Sequence, residues 1–204
     1  MALGNWAFTV SVSDVDESQL PGEAPADYVL RLAEDKARAA LPGAALEDII
    51  IAADTTVVDG DAVLGKPEDA ADARRMLTQL RGRTHRVYTG LAALHAGTGQ
   101  LVKELCVTDV PMREYSDDEV RLYVESGDPL DKAGSYGVQH KGFQPVQGLR
   151  GCFASVMGLP LCHLLRLFDR LGVEQPEGLP MRCQTHLNYA CPVSEAILRG
   201  EQVG

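Results

Sequence analysis

The segment Ala53-Asp54-Thr55-Thr56 places a carboxylate and two hydroxyls directly after an apolar run at residues 49–53. Because this run is rich in β-branched residues, it predicts a buried strand with Asp54 at its end. A carboxylate at a strand end faces a crevice, where it can bind a hard metal ion or orient a water. From this segment alone, a structural Asp54 that satisfies a turn is an equally good interpretation.

Two lysines are candidates for binding an anion. Lys66 stands in Leu64-Gly65-Lys66-Pro67, just before a predicted helix, where the helix dipole disfavours a cation unless a phosphate is bound there. Lys36 follows Leu32 by four residues, at the edge of the apolar face of a helix predicted at residues 25–40. The alternatives are a solvated turn lysine at position 66 and a lysine at position 36 that extends along the apolar face to water.

A third candidate is the loop Asp131-Lys132-Ala133-Gly134-Ser135-Tyr136-Gly137-Val138-Gln139. Small residues between the charged pair and the amide suit a recognition loop in which Gln139 binds the edge of a base or sugar. The alternative is a structural loop with an internal pair between Asp131 and Lys132, because such surface pairs are common and weak.

Predicted strands and helices intermix along the chain. Strands are predicted at residues 8–15, 49–53, 62–64, 86–96 and 101–112, and helices at 25–40, 67–82, 116–127 and 160–172. Turn signals at Asp59-Gly60 and Gly97-Thr98-Gly99 predict hairpins. The predicted fold class is therefore α/β, with helices flanking a mixed sheet.

The composition excludes several classes of protein. The 204 residues carry a formal charge of −10, which argues against broad nucleic-acid binding because that needs many Lys and Arg. No apolar run is long enough to cross a bilayer, and residues 1–10 lack a secretion signal, so we expect no membrane partner and a cytoplasmic location. The five scattered cysteines are typical of free thiols.

Two more segments complete a set of five ordered motifs: Thr84-His85-Arg86-Val87-Tyr88-Thr89-Gly90 and Val156-Met157-Gly158-Leu159-Pro160. Together with the three candidates above, they closely resemble the Maf family of nucleoside triphosphate pyrophosphatases. The resemblance covers roughly residues 7–173. We therefore predict a Maf-like domain at residues 1–173, followed by a linker and tail at 174–204.

The resemblance implies a fold related to inosine triphosphatases, with two lobes around a cleft. It also implies hydrolysis of the α–β phosphate bond of a nucleoside triphosphate with Mg²⁺ or Mn²⁺, and commonly a homodimer. The Asp-Lys-Ala-Gly form at residues 131–134 resembles the branch that acts on dTTP and UTP. The family name is also associated with restraint of septum formation.

By motif, the resemblance assigns a role to seven residues. These are Asp54 and Lys66 as catalytic residues, Glu17 and Asp54 as metal ligands, and Lys36, Thr55, Lys132 and Gln139 as contacts to the substrate. Whether Asp54 binds the metal or accepts a proton from the attacking water is left open by the sequence.

A Ser-x-Ser-Pro-Arg-Arg segment, which usually precedes the matched region in the family, is not found in this chain. We expect a start further upstream, and a divergent member with altered activity is the alternative. Two other functions stay open. One is a non-catalytic nucleotide-binding or regulatory protein, and the other is a metal- or redox-responsive protein built on Cys183, His186 and Cys191.

Overall fold

A four-stranded sheet forms the centre of the molecule in the computed structural model, which describes residue 4 and residues 6–204. In chain order the strands are β1 (Ile49–Asp59), β2 (Ala62–Leu64), β3 (Thr84–His95) and β4 (Leu101–Pro111). The spatial order is β2-β1-β3-β4, and each neighbouring pair is antiparallel. Since β2 and β3 lie on either side of β1, they run in the same direction without pairing.

Helices cover both faces of this sheet. They are α1 (Pro25–Ala40), α2 (Ala70–Leu80), α3 (Asp117–Glu125), α4 (Phe153–Val156), α5 (Leu161–Leu171), α6 (Leu179–Leu187) and α7 (Ser194–Leu198). Their ends follow from local chemistry. The Asp69 side chain accepts a hydrogen bond from the Asp72 N–H at the start of α2, and Ser116 and Glu119 form a capping box at α3.

Alternation along β1 divides the two faces of the sheet. Ile50 and Ala52 pack against α1, whereas Ile51 and Ala53 pack in the cluster formed by α5. Further along the strand, Val57 belongs to a separate core that α2, α3 and the segment after α3 build. The two cores on this side of the sheet form two lobes, and the cleft described below lies between them and also reaches residues of α1 on the other face.

The predicted α/β fold with hairpins and two lobes is confirmed, and the helix at residues 25–40 has the predicted bounds. The sheet is simpler than expected, because every described pairing is antiparallel. The β-branched run continues through Val58, so Asp54 lies within β1 and not at its end. The described pairing of β2 with β1 covers Val57, Val58 and Asp59, so Asp54 lies outside it.

The strand predicted at residues 8–15 is wrong. This segment has no regular structure, and Phe8, Val10 and Val12 are 52%, 84% and 94% exposed. Alternating apolar residues form a strand only when a neighbouring strand binds their backbone, and no described residue does so here.

Residues 174–204 contain two short helices packed against α5. Leu179 of α6 and Ile197 of α7 are fully buried, and Leu179 belongs to the core formed by α5. Within the described residues, no helix combines the length and the apolar character needed to cross a membrane.

Candidate active site

An open cleft of ≈ 520 Å³ lies between the two lobes. Its size suits a nucleotide-sized ligand. All seven residues singled out from the sequence line it, namely Glu17, Lys36, Asp54, Thr55, Lys66, Lys132 and Gln139. The structure therefore brings together residues from five separate stretches of the chain.

The Lys36 ammonium lies between two carboxylates at one side of the cleft. Its Nζ is 2.7 Å from Asp54 Oδ1 and 2.7 Å from Glu17 Oε1. The side chains of Asp54 and Lys36 are only 11% and 19% exposed, whereas that of Glu17 is 50% exposed. Two acidic oxygens thus converge on one point at which a cation is stable.

The pKa values of Asp54, Lys36 and Glu17 are shifted by different balances of burial and hydrogen bonding. Burial raises the pKa of Asp54 above its ordinary value, and the hydrogen bond from Lys36 opposes that shift without cancelling it. Burial acts to lower the pKa of Lys36, but the hydrogen bonds to Asp54 and Glu17 outweigh it and raise the pKa. The hydrogen bond from Lys36 lowers the pKa of Glu17.

Lys66 is exposed at the turn before α2. Its charge adds a small contribution that lowers the pKa of Glu17 and opposes the rise in the pKa of Asp54. Within the described part of the chain, its side chain forms no hydrogen bond or ion pair, so its ammonium is available to an anion in the cleft.

Lys132 has a different environment. Its Nζ is 2.7 Å from the Asp131 carboxylate, 3.1 Å from the Asp128 carboxylate and 2.7 Å from the Asp128 carbonyl oxygen. Lys132 therefore forms an ion pair with Asp131 inside the loop, as the structural interpretation of this loop predicts, and a second one with Asp128. Gln139 is exposed at the rim of the cleft.

Thr55 belongs to a chain of hydroxyl groups that continues into the core. Its Oγ1 is 2.9 Å from Thr89 Oγ1, directly opposite on β3, and Thr89 donates to the Ser155 carbonyl oxygen at 2.9 Å. Thr89 and Ser155 are fully buried. Thr55 is therefore the exposed end of a fixed polar contact between β1, β3 and α4.

Sequence reasoning missed two tyrosines of the cleft. The Tyr28 hydroxyl donates to the Glu17 carbonyl oxygen at 2.8 Å and so fixes the backbone beside that acid. The Tyr136 hydroxyl is 2.8 Å from His85 Nε2. A sequence signal existed for Tyr28, because it precedes Lys36 by eight residues and so shares its face of α1.

The cysteines of the C-terminal segment do not assemble a metal centre. Within the described residues, no group of three or more His, Cys, Asp or Glu side chains is arranged to hold a metal ion. Cys183 and Cys191 instead line a small apolar pocket with Cys152 and Cys162. All five cysteines are free thiols, as predicted.

Paired carboxylates and lysines, held in a cleft between two lobes of an α/β fold, define a class of proteins suited to bind polyphosphates. Comparison with known proteins is more specific, because the family model described as "Maf-like protein" matches residues 1–171. This chain belongs to that family, which confirms the resemblance.

Curated relatives agree with the family match. The chain is 45% identical over 176 residues to a dTTP/UTP pyrophosphatase of Anaeromyxobacter dehalogenans, covering 85% of this chain and 88% of that protein. It is 46% identical over 172 residues to a dTTP/UTP pyrophosphatase of Myxococcus xanthus, covering 83% and 84%. A third relative of the same name, from Dehalococcoides mccartyi, is 37% identical over 196 residues, covering 91% and 87%.

Proposed function

We propose that this protein is an enzyme that hydrolyses dTTP and UTP to the nucleoside monophosphate and pyrophosphate. The observation that carries the proposal is the contact of Lys36 with both Glu17 and Asp54, in the cleft that Lys66 also lines. The names of the curated relatives support the substrate assignment.

We propose a divalent cation, Mg²⁺ or Mn²⁺, as cofactor. The donor set fits such an ion, because Asp54 and Glu17 supply hard oxygen ligands that already converge on one ammonium group. Mg²⁺ is commonly held by one or two carboxylates, with substrate phosphates and waters as the other ligands. When bound, such an ion would polarise the phosphate and lower the pKa of a bound water.

Side chains of the cleft would supply the other catalytic contributions. Lys66, and Lys36 once a phosphate draws it from the carboxylates, would neutralise the charge that develops on the phosphate oxygens. The raised pKa of Asp54 brings its carboxylate nearer to the range in which it can accept a proton from the attacking water. The charge of Lys132 is balanced by the carboxylates of Asp128 and Asp131, so we assign Lys132 a structural role and not a binding role.

Pyrophosphate release tests this proposal. Purified protein is assayed with dTTP, UTP, CTP and methylated guanine nucleotides in the presence of Mg²⁺ or Mn²⁺. We expect turnover of dTTP and UTP that falls at least about a hundredfold in Asp54→Asn. Asp61→Asn, at an exposed turn outside the cleft, is the matched control and keeps the wild-type rate.

The competing function gives a different result in the same experiment. A non-catalytic nucleotide-binding protein would bind UTP without releasing pyrophosphate with either metal. That outcome would overturn the enzymatic assignment and leave the cleft as a regulatory nucleotide site. A homodimer and a cytoplasmic location stay predictions.

A further inference from the structure

All five cysteines of the chain meet in one region of the fold, although they are spread between positions 106 and 191. Cys106 and Cys152 are buried in one cluster with Ala154, and Cys183 packs against that cluster. A small pocket beside it is lined by the thiols of Cys152, Cys162, Cys183 and Cys191. Cys152 belongs to both groups and so lies at the centre of the arrangement.

The thiols of Cys106 and Cys152 differ in acidity, because one of them donates a hydrogen bond to the other. The hydrogen bond from Cys152 lowers the pKa of Cys106, and the nearby His163 and Ser155 act in the same direction, against the effect of burial. The same hydrogen bond, together with burial, raises the pKa of Cys152. Cys106 therefore carries the thiolate of this pair, and Cys152 keeps its proton.

Two other thiols of the pocket are poorer nucleophiles. Burial raises the pKa of Cys162 to about 12 and also raises the pKa of Cys183 above its ordinary value, so both stay protonated at neutral pH. An oxidant is attacked by the thiolate and not by the thiol. We therefore expect Cys106 to react before either of them.

Both thiols of the pair are shielded from bulky reagents. Cys106 and Cys152 are only 1% and 5% exposed. Gly204 lies against Cys106, since a Cβ built on Gly204 would be 2.6 Å from the Cys106 Sγ. The pocket beside Cys152 has a volume of ≈ 20 Å³, which is room for one water-sized molecule. An oxidant must therefore be small to reach this pair in the folded protein.

We propose that Cys106 and Cys152 form an oxidation site, which a small hydroperoxide such as hydrogen peroxide converts to a disulfide. The Cys106 thiolate attacks one peroxide oxygen and breaks the O–O bond, which leaves a sulfenic acid on Cys106 and releases hydroxide. The proton that Cys106 gave up neutralises this hydroxide. The Cys152 sulfur then attacks the Cys106 sulfur, and the sulfenic oxygen leaves with the Cys152 proton as water. The two thiols lose two electrons, and one peroxide becomes two waters.

This pair lies directly behind the cleft. Cys106 is opposite Thr89 in the β3–β4 pair, and the Thr89 hydroxyl donates to the Ser155 carbonyl oxygen at 2.9 Å. Cys152 immediately precedes α4, which contains Ser155 and ends at Val156 in the cleft wall. Because a disulfide brings its sulfur atoms to about 2 Å, we expect it to pull the start of α4 towards β4 and to slow pyrophosphate release. That effect on the rate rests on the proposed function, whereas the disulfide does not.

Peptide mapping of the folded protein tests the disulfide. Reduced protein is treated with hydrogen peroxide, its remaining thiols are alkylated in urea, and the digest is examined by mass spectrometry. We expect a peptide pair joined through Cys106 and Cys152, which dithiothreitol separates. Cys162→Ala is the matched control, because it removes a pocket thiol outside the pair and leaves the disulfide unchanged. Cys152→Ala should stop the reaction at the sulfenic acid of Cys106, which dimedone traps when the protein is unfolded.

Oxidant size and enzymatic rate give two further readouts. The aromatic disulfide dithiodipyridine should leave Cys106 and Cys152 unmodified in the folded protein and label both in urea. Peroxide-treated wild type should release pyrophosphate from UTP several-fold more slowly than the reduced protein, with recovery in dithiothreitol. Cys106→Ala should keep its rate under the same treatment.

Several outcomes would overturn this inference. They are a disulfide between Cys183 and Cys191 in place of the proposed one, oxidation of Cys106 only after unfolding, or no sulfenic acid at Cys106 in folded Cys152→Ala. A disulfide-bonded protein with an unchanged rate would overturn the effect on the cleft. If the reduced wild type releases no pyrophosphate, the proposed function fails, and the mapped disulfide still decides the inference about the thiols.

Discussion

Gly90 lies directly opposite Asp54 in the β1–β3 pair, and the main chain of α1 occupies the space that a side chain at position 90 would fill. A Cβ built on Gly90 would be 2.6 Å from the carbonyl carbon of Val29. The absent side chain lets α1 lie directly on the sheet at this point. Lys36, two turns further along α1, can therefore reach the carboxylate of Asp54.

Gly90→Ala is accordingly expected to destabilise the protein. The added methyl meets backbone atoms, which cannot rotate away, and overpacking of this kind costs about 1–3 kcal/mol. Chemical denaturation measures the change in the free energy of unfolding. Gly43→Ala is the control, because its Cβ would meet nothing within 4 Å. A Gly90→Ala variant as stable as Gly43→Ala would show that α1 does not depend on this close approach.

Replacement of Lys36 tests the role of the shared ammonium. Lys36→Met leaves the carboxylates of Asp54 and Glu17 without the counter-ion that they share, so the pKa of Asp54 rises further, and under the proposed function a phosphate contact is lost. We expect pyrophosphate release to fall by about a hundredfold or more, as for other groups that stabilise developing charge. The acid limb of the pH–rate profile should also move to higher pH.

Arg38→Met provides the comparison for that variant. Arg38 lies on the same helix and pairs with Glu34 at the surface, so its removal should leave the rate and the pH profile unchanged. A similar loss of activity in both variants would point to damage of α1 and not to the shared ammonium.

The pH dependence of stability reports on His85. Burial lowers the pKa of His85 to about 4, whereas Asp59 acts weakly in the other direction. Between pH 6.5 and about 4 the unfolded chain therefore binds a proton that the folded protein does not. The free energy of unfolding should fall as the pH falls through this range, by about 3 kcal/mol in total from this group.

Urea unfolding at several pH values checks this expectation. His85→Gln cannot take up the proton, so its stability should decline less steeply between pH 6.5 and 4 than that of the wild type. His186→Gln, on the exposed side of α6, should keep the wild-type slope. Equal slopes in all three proteins would mean that His85 does not contribute to acid destabilisation.

The sequence predicted most helices and hairpins because their signals are local. Ser116 and Glu119 form a capping box four residues long, and Asp59-Gly60 is a two-residue turn signal. The strand predicted at residues 8–15 is wrong because alternation shows only which side chains could share a face. A strand also needs the backbone of a neighbouring strand to bind. The same limit explains why the predicted β1 ends too early, because a local pattern does not show the hydrogen bonds to β2 and β3 that extend the strand.

The ordered motifs predict which residues line the candidate site, whereas the contacts between these residues are visible only in the folded structure. Lys36 and Asp54 are 18 positions apart, and only the packing of α1 on β1 brings them to 2.7 Å. Thr89 belongs to one of the ordered motifs, but its hydrogen bond with Thr55 depends on the register of the two strands across the sheet. The ion pair between Lys132 and Asp128 is likewise visible only in the structure, because the sequence analysis did not connect these two residues.

The Lys36 ammonium pairs with two carboxylates at once, so both acids share a counter-ion before any ligand binds. A polyphosphate that attracts this ammonium withdraws the positive charge from Glu17 and Asp54 together. The two acids then face each other across a short gap and require a new cation. Under the proposed function, binding of the anion would therefore favour binding of the cation, so that each ligand promotes the binding of the other.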